Sequence, residues 1–294
     1  MEKVGFEKRN PAEREAAINE LKNNKAVVAL LKKRGLSPDV IDDNFVAVSN
    51  WLQQYSYCQM CQGLEMCNHQ IKGYQYQLDE HLNTVYGQCQ FATKKANSIA
   101  HKDNYLLCDL SDDSLQNFIS KIDLTDEPAN YKSIVSWVEK WLEDPPIQGF
   151  YFHGGLGVGK SYLASCITNE MAVKGHKVAF VNFPKLATDL RNNVTEDDYV
   201  ENRLKKLRSA YVLVIDDLGA ENTTNFIRDD ILFTVLDYRM EHGKRTIITS
   251  NLSLDALEKK LYTDDEIKAS RVIERIRTLC MTVPMKGQSR RIGR

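Results

Sequence analysis

The two halves of the chain carry different hydrophobic periodicities. In the first, apolar residues recur every three or four positions among polar ones. Ala26-Val-Val-Ala-Leu-Leu31 marks one helical face, and Ile41, Phe45, Val48, Trp51 and Leu52 mark another, running from Ser37 to about Tyr55. That spacing lines up side chains along one side of a helix. Gly35 is placed to end the first helix, and Ser37-Pro38 to begin the second, with Ser37 as N-cap and Pro38 at the first helical position. Residues 1 to about 57 are therefore expected to be helical. Next, Gly73-Tyr-Gln-Tyr-Gln-Leu78 and Thr84-Val-Tyr86 alternate as strands do, which predicts a hairpin returning the chain to Cys89. From about Phe91 to Asp126 the pattern is polar and punctuated, and predicts a linker with short helical pieces. An amphipathic helix follows over 130–144, carrying Ile134, Val135, Trp137, Val138, Trp141 and Leu142. Trp137 and Trp141 stand one turn apart and are expected to pack on a sheet edge.

The second half changes to short apolar runs separated by helical stretches. Strands are predicted at 149–153, 177–182, 211–216, 245–250 and 280–283. Helices are predicted at 160–174, 184–191, 196–209 and 225–241, after Ser253, and over 270–279. Tyr211-Val-Leu-Val-Ile-Asp216 is apolar up to its last residue, as a parallel strand covered on both faces must be. Regular alternation of this kind specifies an α/β layered domain on a parallel sheet. The expected organisation is an N-terminal domain over 1–100, a linker over 101–128, and an α/β domain over 129–294.

Composition narrows the picture only modestly. Of 294 residues, 43% are hydrophobic and 27% charged, and the formal net charge is −1. These values suit a globular protein and exclude a uniformly basic nucleic-acid coat, though not local basic patches. No apolar run has the length of a membrane span, and no apolar core follows Met1–Phe6 as a secretory signal would require. The expectation is a cytoplasmic protein without membrane attachment. In that reducing setting, seven cysteines mostly gathered between Cys58 and Cys89 point to metal before disulfide. Cys58 and Cys61 form a C-x-x-C turn that can offer two thiolates to one structural Zn²⁺. Cys67 and Cys89 are the favoured remaining ligands, with His69 and His81 as alternatives; idle or buried cysteines are the competing reading. Cys108 is expected to be a free thiol.

The chemistry concentrates at Gly154-Gly155-Leu156-Gly157-Val158-Gly159-Lys160-Ser161, followed by Tyr162. G-x-x-x-x-G-K-[ST] between a strand and a helix is a phosphate-binding loop. Its glycines let successive backbone N–H groups turn inward, and the helix start adds positive potential. In this reading the loop and Tyr162 bind a nucleoside triphosphate, Lys160 reaches the β- and γ-phosphates, and Ser161 holds Mg²⁺. Asp216, at the end of an apolar strand, is placed to position the same Mg²⁺, and Asp217 to act as general base on water. Asn251 ends the next strand and can orient that water. Arg271, Arg275 and Arg277 share a short helix, and Arg275 is the favoured finger for a nucleotide bound by a neighbouring subunit.

Gly154–Ser161, Asp216-Asp217, Asn251 and Arg271–Arg277 stand in the order and spacing of AAA+ ATPases, where they correspond to Walker A, Walker B, sensor 1 and the arginine-finger region. Leu213-Val-Ile-Asp-Asp-Leu-Gly-Ala-Glu221, Ile227-Arg-Asp-Asp230 and Arg271-Val-Ile-Glu-Arg275 resemble the bacterial replicative helicase loaders of the DnaC/DnaI type. The cysteine-bearing first domain is similar to the zinc-containing helicase-binding domain of the DnaI branch. The resemblance implies an ATPase, used as a slow switch, that binds a hexameric replicative helicase and delivers it onto single-stranded DNA during primosome assembly. It also implies self-association in a ring or spiral on the helicase, contacts with other primosome proteins, and an insertion over Lys185–Ser209 facing DNA. Lys185, Arg191, Arg203, Lys205, Lys206 and Arg208 would track phosphates there, with Thr223, Thr224 and Phe226 as pore candidates. The chain departs from the pattern in three places. Asp217 stands where many AAA+ proteins have glutamate, Gln75 stands where a zinc-binding histidine is familiar, and Met285–Arg294 leaves no room for a helical lid. The alternatives are a transposition-helper ATPase, a replication initiator, or a non-hydrolysing ATP-binding adaptor of the replisome. The expected fold is thus a parallel-sheet AAA+ domain without a C-terminal lid, preceded by a small, mainly helical zinc-binding domain.

Overall fold

The computed structural model describes residues 11–263 and 265–290. The first ten residues of the expected helical segment, and the last four of the chain, lie outside that description. The chain divides into two compact units, Met1–Asn97 and Ser98–Arg294.

The first unit opens with α1 (Pro11–Asn23), α2 (Lys25–Arg34) and α3 (Val40–Gln59). Asn24 caps α2 by accepting from the Ala26 amide at 2.9 Å, and Gly35 ends it at φ 66. α3 begins at Val40, later than expected: Ser37 accepts from the Asp39 amide at 3.4 Å, so it closes a tight turn instead of capping a helix. The helix also continues past Tyr55 and takes Cys58 into its last turn. The expected hairpin forms from β1 (Tyr74–Leu78) and β2 (Thr84–Gln88), antiparallel, with Tyr76 opposite Tyr86. The Arg34 guanidinium donates to the carbonyls of Leu78 and Asp79, tying the hairpin to α2. Leu78 and Leu82 complete a core with Leu21, Val27, Leu31, Ile41, Val48 and Trp51. α4 (Gln90–Ser98) closes the unit.

The second unit is a six-stranded parallel sheet. Its strands are β3 (Tyr105–Cys108), β4 (Gly149–Gly154), β5 (Val178–Asn182), β6 (Val212–Asp216), β7 (Arg245–Ser250) and β8 (Cys280–Met285), in the order β3-β5-β6-β7-β4-β8. Neighbouring strands pair in parallel throughout. Alternate residues serve opposite faces, as a pleated strand requires. Tyr151, Leu213, Ile215 and Ile248 belong to one core, and Phe150, Phe152, Val212, Val214 and Ile247 to the other. α5 (Ala129–Glu143) and α6 (Lys160–Val173) build the second of these cores. α7 (Phe183–Asn192) and α8 (Asp197–Ser209) build the first, with a wide π-helical run over Phe226–Phe233, then α9 (Thr234–Glu241), α10 (Leu254–Leu261) and α11 (Glu266–Leu279).

Two expectations are corrected here. Residues 101–128 are not a linker: Tyr105–Cys108 forms the sheet edge beside β5, with Tyr105 paired to Val178 and Cys108 to Phe180. Four residues are too short for a strand pattern to stand out, and their order depends on a distant partner. Asn169, buried on α6, donates to the carbonyls of Ser114 (2.9 Å) and Asn117 (2.8 Å) and accepts from the Tyr105 hydroxyl at 2.6 Å. The second correction concerns the tryptophans. Trp141 is buried and its indole donates to the Gln148 carbonyl at 2.9 Å, whereas Trp137 is 48% exposed.

Candidate nucleotide-binding site

The phosphate-binding loop emerges where β4 meets its neighbours. Gly154 ends the strand at φ 144, and a Cβ there would stand 2.0 Å from the Met285 carbonyl oxygen. Gly157 lies at φ 74, where a Cβ would stand 2.1 Å from the Ser289 hydroxyl. Both conformations are open to glycine and strained for other residues. Val158 faces inward and is buried, while Leu156 is exposed at the loop tip. Lys160, the first residue of α6, folds back on the loop. Its Nζ donates to the carbonyls of Gly154 (2.9 Å) and Gly155 (2.7 Å) and to Asn251 Oδ1 (2.9 Å). Lys160 and Asn251, 91 positions apart, are thus joined.

The end of β6 supplies the carboxylates. Asp216 is buried and hydrogen-bonds the Ser161 side chain. Thr249 Oγ1 donates to Asp216 Oδ1 at 2.7 Å and accepts from the Asp217 amide at 3.0 Å. Burial pushes the Asp216 carboxyl above its usual range, with a further push from Asp217, while hydrogen bonds from Ser161, Thr249 and Asn182 pull it back. Asp217 adopts φ 59, the left-handed region that non-glycine residues rarely occupy. That turn brings its amide onto Thr249 and its carboxylate to 3.5 Å from Asn182 Nδ2. His153 beside the lysine is held below its ordinary pKa, by burial and then by the Lys160 charge.

These groups line a cleft of about 840 Å³ at the carboxyl ends of the strands, where parallel sheets place their ligands. Leu156, Gly157, Gly159, Lys160, Ser161, Tyr162, Asp216, Asp217 and Asn251 all line it. Its donors suit a triphosphate with a hard cation: a glycine-rich loop opening a helix, a buried ammonium, and a carboxylate paired with a hydroxyl. Sequence reasoning missed Asn182, Glu127, Tyr131 and Arg290, which also line it. Asn182 was detectable as a polar strand end in register with Asp216. The others come from segments read as linker, helix surface and trailing residues.

The remaining expected site residues separate. Arg275 lies on α11 and pairs with Asp237 at 2.7 Å and Glu274 at 3.2 Å; it does not line the cleft of its own chain. Arg271 is exposed, with its guanidinium 4.4 Å from the Phe233 ring centre, and Arg277 faces Asp255 at 3.4 Å. Among the basic residues of 185–209, Lys185 lines the nucleotide cleft. Arg191 donates to the Asn222 carbonyl, Arg203 is held by Tyr199 and Asp189, and Arg208 by Glu201. Lys205 is exposed and Lys206 half-buried. Thr223 bonds Glu221, Thr224 accepts from the Ile227 amide, and Phe226 packs on the core.

In the first unit, Cys58, Cys61, Cys67, Cys89 and His69 line one cleft of about 770 Å³, together with Gln75. Cys58 Sγ lies 3.1 Å from His69 Nε2, Cys61 Sγ donates to the Gly63 carbonyl at 3.3 Å, and Cys67 Sγ accepts from the Gly73 amide at 3.4 Å. Burial raises the Cys58 pKa, and the neighbouring Cys61, Cys89 and Cys67 raise it further. Among the described residues, no group of three such side chains stands in metal-holding geometry. His81 sits in the hairpin turn, away from this cleft. Cys108, on β3, is free. Among the described residues no helix is long and apolar enough to cross a membrane.

Residues 135–294 match the model of the IstB-like ATP binding protein family. The replicative helicase loader DnaI of Bacillus subtilis (strain 168) is 29% identical over 284 residues, 90% of this chain and 89% of that protein. A crystal structure of DnaI superposes with a TM-score of 0.56 at 30% identity, covering 65% of this chain and 98% of that one. The DnaC helicase loader shares the fold, with a TM-score of 0.51 at 22% identity over 60% of this chain and 100% of that one. With its P-loop cleft assembled and more than half its length matched, the chain belongs to the IstB-like ATP binding protein family.

Proposed function

We propose that this protein is an ATP-dependent loader that binds the replicative DNA helicase and delivers it onto single-stranded DNA in primosome assembly. The observation that carries the reading is the pairing of a complete P-loop cleft with a likeness to DnaI that runs through 90% of the chain, the cysteine-bearing unit included. A transposition helper needs the ATPase unit alone.

Lys160 would exchange its bonds to Gly154, Gly155 and Asn251 for phosphate oxygens, so that nucleotide binding frees Asn251 to orient water. Ser161 and Asp216 would hold Mg²⁺, which when bound supplies positive charge against the phosphates. Asp217 would take the proton from the attacking water, with Asn182 and Thr249 fixing its place. Its shorter side chain fits hydrolysis used as a slow switch. Arg275, or the more exposed Arg271, would act on nucleotide bound by a neighbouring copy in a ring or spiral on the helicase. For Arg275 this means leaving Asp237. The first unit would hold the helicase, with Zn²⁺ on Cys58, Cys61, Cys67 and Cys89, and His69 as the alternative donor closest to Cys58. Lys205 and Lys206 are the basic positions of α8 best presented to DNA phosphates. A cytoplasmic setting and contacts with other primosome proteins complete the proposal.

Co-purification with the host replicative helicase, with and without ATP, is the direct test, joined to a single-strand loading assay. Wild type should bind and load, while Lys160→Ala should bind without loading. Normal loading by that variant would remove the ATP switch, and failure of wild type to bind helicase would remove the loader.

A further inference from the structure

A P-loop binds phosphate because its N–H groups point inward, so those of its carbonyls that turn outward must find partners elsewhere. Two of those carbonyls are met by a single residue beyond β8. The Arg290 amide donates to the Gly157 carbonyl at 2.9 Å, and its guanidinium Nη1 to the Val158 carbonyl at 2.5 Å. The same guanidinium pairs with Glu127, Nε to Oε1 at 2.8 Å and Nη2 to Oε2, and lies 3.8 Å from the centre of the Tyr131 ring. Tyr131 is buried on the first turn of α5, and a Cβ on Gly159 would approach its hydroxyl to 3.3 Å. Arg290 therefore joins the back of the loop to the opposite wall of the cleft, through a bidentate ion pair and a stacked ring.

We infer that Arg290 is a positioning residue for nucleotide binding: it holds the Gly157 and Val158 carbonyls outward, against Glu127 and Tyr131, and so preorganises the loop amides for phosphate. This rests on the reading of the cleft as an ATP site. Arg290 does this without touching the nucleotide. Because the residue acts on the shape of the loop and not on the reacting atoms, it should govern KM for ATP more than kcat.

The test has one arm without nucleotide and one with it, both on the full chain. In nucleotide-free protein, Arg290→Ala should speed hydrogen exchange of the amides at 155–159 severalfold, while amides of β6 and β7 keep their protection. In titrations with a fluorescent ATP analogue, Arg290→Ala should bind about tenfold more weakly, the effect of one charge-assisted hydrogen bond. Its KM for ATP should rise with kcat within about twofold. Arg290→Lys should recover part of the affinity, and Glu127→Gln, which leaves the arginine in place, should show the same split at smaller size. Unchanged exchange at 155–159, tighter nucleotide binding, or a fall confined to kcat would each overturn the inference. If wild type fails to bind the analogue, the ATP-site reading falls and the affinity role falls with it. The exchange arm still reports separately on whether Arg290 holds the loop.

Discussion

The two units bury their apolar residues in different ways. The larger one has a sheet with helices on both faces, and its buried apolar strand residues divide between two extensive cores. Among the described residues, the smaller one gathers eight buried residues from its helices and the hairpin, and none of them lies between Cys58 and Gly73. That stretch and the hairpin instead expose Met60, Met66, Ile71, Tyr76, Val85 and Tyr86. An apolar core can therefore explain the order of the larger unit but not that of the cysteine segment. Local bonds such as Cys61 Sγ to the Gly63 carbonyl and the Gly73 amide to Cys67 Sγ tie that segment instead, and its thiols line one cleft with Cys89.

The sharpest way to break this comparison is to remove metal. If Zn²⁺ staples the cysteine segment, elemental analysis of the intact protein should give one zinc per chain. Chelation or Cys58→Ser should then unfold the first unit while the second keeps its thermal transition, since structural zinc contributes folding free energy directly, on the order of 10 kcal/mol. A metal-free preparation with both transitions intact would show that the small core suffices alone.

Next in size is Lys160→Ala, which removes the only ammonium that bonds the P-loop and Asn251 together among the hydrogen bonds of the cleft's described residues. ATPase turnover should fall by roughly 10²–10³, while far-UV circular dichroism and helicase binding by the first unit stay unchanged. Coupled loss of helicase binding would mean that the two units do not divide the labour as proposed.

A smaller effect should have the opposite sign. Burial raises the Asp216 pKa, so the fold disfavours its ionised form. The resulting penalty is absent at low pH and appears as pH rises through the folded-state pKa. Asp216→Asn should therefore stabilise the nucleotide-free protein by about 1 kcal/mol, or about 2–4 °C in the melting of the second unit. The gain should shrink as pH falls through the folded-state pKa and vanish in strong acid, while Mg²⁺-dependent hydrolysis is lost. Of similar size is the reversal of Lys205 and Lys206 to glutamate. It should weaken single-strand binding by about tenfold at low salt and flatten its salt dependence. Unchanged binding would take α8 out of the DNA-facing surface.

What the sequence made legible follows from interaction range. The P-loop, Asp216-Asp217 and the strands around them carry their signals within a few residues, because a run buried on both faces and a glycine-rich turn are local facts. Asn251 was legible because strand ends converge in a parallel sheet. The cleft wall formed by Glu127 and Tyr131 was not, since its placement depends on Arg290, 163 positions beyond Glu127. Edge strand β3 was hidden for a similar reason: it is ordered by Asn169, which lies on another element. Charge alone also gave an incomplete picture over 185–209. A basic residue in a sequence gives no sign that Asp189, Tyr199 or Glu201 already engages it.

The Asn169 hub has a practical consequence for anyone dividing this chain. A cut at residue 129, where the sequence pattern starts the α/β domain, would remove β3 and leave the backbone edge of β5 open to solvent. It would also strip the Tyr105, Ser114 and Asn117 partners from a buried amide. Unpaired strand edges recruit other strands, so such a fragment should associate edge to edge and precipitate. A fragment beginning at Ser98 keeps the edge covered, and is the one to express for crystals or for titrations.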